Sequence, residues 1–215
     1  MLDLQSQDKL VEAMGFFVSN TKYCGLTKLF KLLYWLDYHH FRETGETVTG
    51  LTYQAFPRGP VPEDLYGELK SGRGPVASQF NITLNKWVPK AQPAVRTIDD
   101  DDDAYSAKNR QLPGGHHSPS KITPRASYRH KFLTRREQRI AGWLAEIFKE
   151  ANAEQISDVS HAKGGPWMQA LKERGERGDI DFLGKLFPMG KGHYLSDEEL
   201  RKRAADYGAL IENFA

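Results

Sequence analysis

Leu10, Met14 and Phe17 recur at helical spacing between Asp8 and Val18, which predicts a first helix ended by Asn20. A longer pattern follows from Leu26 to Arg42. Projected at about 100° per residue, Leu26, Leu29, Phe30, Leu33, Leu36 and Phe41 share one broad apolar face. Thr44-Gly45 closes this helix, with glycine supplying a left-handed cap. Thr47 to Phe56 is rich in β-branched and aromatic residues and reads as a strand or hairpin arm. Gly59-Pro60-Val61-Pro62 then makes a rigid corner, because each proline fixes its own φ and restricts the residue before it. Pro62 suits the first position of a helix over Glu63 to Lys70, whose first turn carries Glu63 and Asp64 where the helix dipole favours acids. Ser71-Gly72-Arg73-Gly74-Pro75 stops it. Phe80 to Val88 alternates apolar and polar residues and predicts a second strand, paired with Thr52 to Phe56 in a small antiparallel sheet.

The pattern lapses between residues 89 and 130. The run Asp99 to Asp103, scattered prolines and the basic residues Lys121, Arg125 and Arg129 show no helical or strand period, so this segment reads as a long insertion or flexible loop. Order returns at Thr134, which with Glu137 has capping-box spacing. Ile140, Trp143, Leu144, Ile147 and Phe148 then fall at core spacing in a helix ending near Ala151. A shorter helix over Gln155 to His161 leads into Gly164-Gly165-Pro166-Trp167. Ser196 and Glu199 repeat the capping-box spacing and open a last helix with a stripe of Leu200, Ala204, Tyr207, Ile211 and Phe214. The fold class is therefore mainly α with a small antiparallel β-sheet: a helical domain over 1–170, interrupted at 89–130, and a helical extension over 171–215 that packs on the domain or on a partner.

Composition narrows the function classes. The 215 residues fit one elaborated domain, and 39% hydrophobic content with 11% aromatics supports a packed globule. A net charge of +2 is too small to announce a nucleic-acid protein. Cys24 is the only cysteine, which rules out an intrachain disulfide and a cysteine-rich zinc site. The first residues lack a signal-peptide pattern, and Lys28, Lys31 and Asp37 break the most apolar stretch, so a cytoplasmic protein without a membrane span is expected.

Asp37 lies near the centre of an apolar helix face, one turn from His40. A carboxylate withdrawn from water needs partners, so a structural pairing with His40, an arginine or a backbone amide outweighs a general acid or base. The seven histidines show no metal-ligand spacing, and no phosphate loop, dinucleotide fingerprint or Gly-x-Ser-x-Gly motif is present. Ser160-His161 beside Trp167 could form a catalytic pair. A helix-capping histidine and a core tryptophan fit the same residues better, because a nucleophile needs a base and an orienting third group. The basic cluster Arg125 to Arg139 reads as a solvated loop flank, since no groove-reading motif accompanies it.

Together, Leu29 to Asp37 with Tyr34, then Gly45, Tyr53, Gly59-Pro60-Val61-Pro62 and Leu65-Tyr66, resemble the Panacea or SocA-like antitoxin domain. A second block agrees in order: the helix from Thr134, Ile156-Ser157, Ser160-His161 and Pro166-Trp167. The resemblance covers roughly residues 5 to 170. It implies an antitoxin of a toxin–antitoxin pair that neutralises a cognate protein toxin by direct binding. It also implies that Tyr34, Asp37, Tyr53, Gly59, Pro60, Val61, Pro62, Tyr66, Ser160, His161 and Trp167 are structural or interface residues, with no catalytic, cofactor or metal site. No membrane, small-molecule substrate or nucleic acid is expected as partner, and a homo-oligomer or hetero-complex stays open. The alternatives are an adaptor delivering the toxin to a protease, a nucleic-acid-binding regulator, and an enzyme using Asp37 or His161.

Overall fold

The computed structural model describes residues 4–84, 87–89, 115–117, 120–126, 131–161, 165–183, 195, 196, 198, 199 and 202. Helices α1 (Leu4–Asn20), α2 (Leu26–Thr44), α3 (Glu63–Ser71), α4 (Arg135–Ile147), α5 (Ala153–Ser160) and α6 (Pro166–Arg174) carry most of the described chain. Strands β1 (Gln54–Phe56), β2 (Gly59–Val61), β3 (Phe80–Thr83), β4 (Trp87–Pro89), β5 (Gly115–His117) and β6 (Lys121–Pro124) pair two by two, always antiparallel. The mainly helical class with small antiparallel sheets is thus the one the hydrophobic pattern predicts. No helix among the described residues is long and apolar enough to cross a membrane.

Helix α2 is the central pillar. It packs against α1, α4 and α5 and against β2, so it is buried on nearly every side rather than along one face. Gly45 ends it in the left-handed region at φ 86°, and its amide donates to the Phe41 carbonyl at 2.8 Å. One core joins Leu10, Met14 and Phe17 of α1 to Leu29 and Leu33 of α2 and to Ile140 and Leu144 of α4. A second, aromatic core gathers Tyr34, Tyr38, Tyr53 and Trp167 around Phe182. Buried acids tie the periphery to the first core. Glu12 of α1 accepts the amides of Lys131 and Phe132 just before α4. Glu137 closes the Thr134 capping box and accepts Lys9 of α1 at 2.6 Å; burial raises its carboxyl, but these donors outweigh that and hold it below the ordinary value.

Several expectations are corrected. The Phe80 segment does not pair with Thr52–Phe56. Pro57-Arg58 turns β1 straight back into β2, and the other edge of β1 is taken by residues 177–180, where Ala55 donates to the Gly178 carbonyl at 2.9 Å and Ile180 to Tyr53 at 2.7 Å. With both edges occupied, β3 instead pairs with β6, setting Ile82 opposite Ile122. Strands β5 and β6 therefore lie inside the segment read as a patternless insertion. Ser120 from that segment also accepts the Leu26 amide at 2.9 Å, capping α2 from 94 residues away in sequence. Pro62 stands at the N-cap of α3, one position earlier than expected. Trp143 and Ile147 are about half exposed despite their core spacing, because α4 turns that stripe past the rim of the bundle. Pro166 begins α6, a helix the glycine-rich lead-in concealed. The acidic run 99–103 and the stripe from Leu200 to Phe214 lie outside the described residues, although Ser196 and Glu199 do close their capping box.

Phe182 reaches back to within 5.5 Å of the Tyr34 and Tyr38 ring centres. Phe182→Ala is expected to lower unfolding free energy by about 3 kcal/mol in urea, the usual effect of emptying an aromatic core position. Unchanged stability would show that this tail does not complete the core.

Candidate functional site

Asp37 is wholly buried in the middle of α2. Its Oδ1 accepts the backbone amides of Val48 at 2.8 Å and Thr49 at 2.9 Å, and its Oδ2 accepts the Thr49 hydroxyl and, at 2.7 Å, the Tyr53 hydroxyl. Burial dominates and leaves the carboxyl above its ordinary value, with the four donors offsetting only part of that rise. Burial and the neighbouring carboxyl push the Tyr53 phenol well up, so it stays protonated and donates. Of the partners weighed from sequence, backbone amides supply the pairing and His40 does not. His40 Nδ1 donates to the Glu46 carbonyl at 2.8 Å, while the ring of His39 meets Trp143 edge-on at 4.8 Å. Burial lowers His39 to about 4.

From Tyr53 the chain enters the hairpin. Tyr34 packs perpendicular to Tyr53 with ring centres 5.4 Å apart. At Gly59, φ is +100°, and a Cβ there would lie 2.7 Å from Lys31 Cε, 2.8 Å from Ser160 Oγ and 3.0 Å from His161 Nε2. Only glycine satisfies both the backbone and the space. The Pro60 carbonyl accepts Lys31 Nζ at 2.8 Å, Val61 is half-buried in β2, and Pro62 is buried where α3 begins. On the far side the His161 ring stacks on Trp167 at 4.2 Å, and Trp167 Nε1 donates to the Phe56 carbonyl at 2.9 Å. Ser160 Oγ donates to the Ser157 carbonyl at 2.7 Å, so the hydroxyl is engaged along its own helix rather than with His161. Tyr66 stands apart. It is 37% exposed and packs edge-on to Phe30 with centres 6.0 Å apart.

Apart from Tyr66, the residues singled out from sequence converge on one knot. Tyr34 and Asp37 on α2 hold Tyr53 and the loop that leads into the hairpin, while Ser160 and His161 at the end of α5 and Trp167 on α6 meet the hairpin backbone. Residues 29–168 match the family described as antitoxin SocA-like, Panacea domain. The chain belongs to this family. Neither a curated protein nor a solved structure matches the chain. Helix α1 and the tail from residue 169 onward lie outside the matched span of the Panacea domain, yet Met14 and Phe182 from these parts complete its two cores.

Sequence reasoning missed two buried lysines of α2. Lys28 Nζ donates to the carbonyls of Lys22 and Ala151, both at 2.6 Å, and at 3.4 Å to Lys149, so it gathers carbonyls after the ends of α1 and α4. Lys31 has the Pro60 carbonyl and no carboxylate partner among the described residues, and burial lowers its pKa to about 7. The available signal was their position: two cations three residues apart in a helix too apolar to have a wet face. Thr49 was missed as well, because its partnership with Asp37 crosses a loop.

A lysine depressed from 10.5 to about 7 is neutral when folded and charged when unfolded across that window. Unfolding then takes up a proton, so stability rises with pH between these values and this contribution is gone below the folded value. Between about pH 7.5 and 10, wild-type stability is expected to climb relative to Lys31→Met by up to about 1.4 kcal/mol per pH unit, read from urea unfolding. Parallel curves would mean that Lys31 stays charged.

Proposed function

We propose that this protein is an antitoxin that neutralises a cognate protein toxin by direct binding and performs no chemistry of its own. Membership of the SocA-like antitoxin family over residues 29–168 carries this reading. The engagement of the signature side chains supports it. Asp37 spends both oxygens on four donors, Ser160 is held by a backbone carbonyl, and His161 lies flat against Trp167. On this reading these groups shape a scaffold, and the surfaces around the hairpin and α3 meet the toxin.

The test is growth and co-purification with the toxin encoded beside it. Expression of the toxin alone is expected to arrest growth, co-expression to restore it, and the two proteins to elute together. Occupancy rather than delivery for degradation also predicts a toxin half-life in the cell no shorter when the antitoxin is present. Normal growth with the toxin alone would overturn the reading, and a half-life shortened severalfold would replace blocking by adaptor-mediated proteolysis.

A further inference from the structure

Beside the knot, a cavity of about 570 Å³ opens between the start of α2, the β1–β2 turn and α3. Its floor is apolar and aromatic, from Leu26, Phe30, Phe56 and Val61, and its charged residues are Lys28, Lys31 and Arg58, with no acid among the lining residues. This size and mixture suit one or two side chains of a partner. Lys28 is taken up by three carbonyls, but Lys31 is 1% exposed and neither it nor Arg58 has a carboxylate partner among the described residues. A buried lysine amine with a single neutral acceptor is an incomplete arrangement, since it holds its charge only where an opposite charge offsets the lost hydration. Tyr23 and Tyr66 flank the opening at 72% and 37% exposure, and Tyr23 is held at φ 55°, a conformation rare for a residue with a side chain. Exposed tyrosines around a cationic, apolar recess are the composition of a binding hot spot.

We propose that this cavity seats an acidic segment of the toxin, its carboxylate meeting Lys31 and Arg58 and its neighbouring apolar side chain covering Phe30 and Phe56; this rests on the antitoxin reading above. The carboxylate favours the charged form of Lys31, which burial otherwise disfavours. Arg58, exposed at the turn, guides the segment in and sets its orientation by a forked contact.

Arg58→Glu carries the test, because this surface position can reverse charge without emptying the core. Arg73→Glu, which makes the same charge change outside the cavity lining, is the control, and Arg58→Lys is the conservative variant. All are titrated calorimetrically with the co-encoded toxin after their melts are matched to wild type. Arg58→Glu is expected to weaken binding by at least about 100-fold, Arg73→Glu by less than about 5-fold, and Arg58→Lys to retain most of the affinity. Wild type that binds, with Arg58→Glu and Arg73→Glu equal, overturns the proposal while leaving the antitoxin reading in place. Wild type that does not bind the toxin overturns both.

Discussion

A carboxylate inside an apolar helix bundle is tolerated only if the chain around it is arranged to serve it. Asp37 imposes that arrangement on residues 48 to 53, which form no regular secondary structure. Two consecutive amides and two hydroxyls from this loop converge on one side chain, so the loop is shaped by α2 rather than by its own backbone pairing. The position of Tyr53 follows, and with it the start of β1. The hairpin that comes next is clamped from α2 by Lys31, from α5 by the close approach of Ser160 and His161 to Gly59, and from α6 by Trp167. Each clamp acts on backbone, which constrains sequence at few positions and geometry at many.

The helices were largely legible from sequence because their signals are local. Helical periodicity, the Gly45 stop and the Thr134–Glu137 capping box all operate within a few residues and reappear in the fold. Burial of Asp37 was also legible, since an acid at the centre of an apolar stripe is carried into the core with its neighbours. What the sequence did not disclose is what depends on long-range competition. β1 took β2 and residues 177–180, leaving β3 to pair with a strand from the interrupted segment, and no local propensity ranks such alternatives. Ser120 capping α2 is invisible for the same reason. Periodicity overreached at Trp143 and Ile147, whose spacing is correct and whose helix lies at the edge of the bundle.

The same geometry separates two kinds of residue that looked alike in sequence. Tyr34, Asp37, Tyr53 and Trp167 face inward and hold the hairpin. Tyr66 and Arg58 stand on the outside of that hairpin and helix, where a partner can reach them. Lys31 bridges the two regions, being buried in the core, bonded to the hairpin backbone and among the residues that line the cavity.

The Asp37 anchor is tested most directly by native-state hydrogen exchange at the Val48 and Thr49 amides. If the carboxylate fixes this loop, both amides exchange only through global unfolding, with the same free energy as the most protected amides of α2. Exchange at rates typical of an open loop would contradict the account.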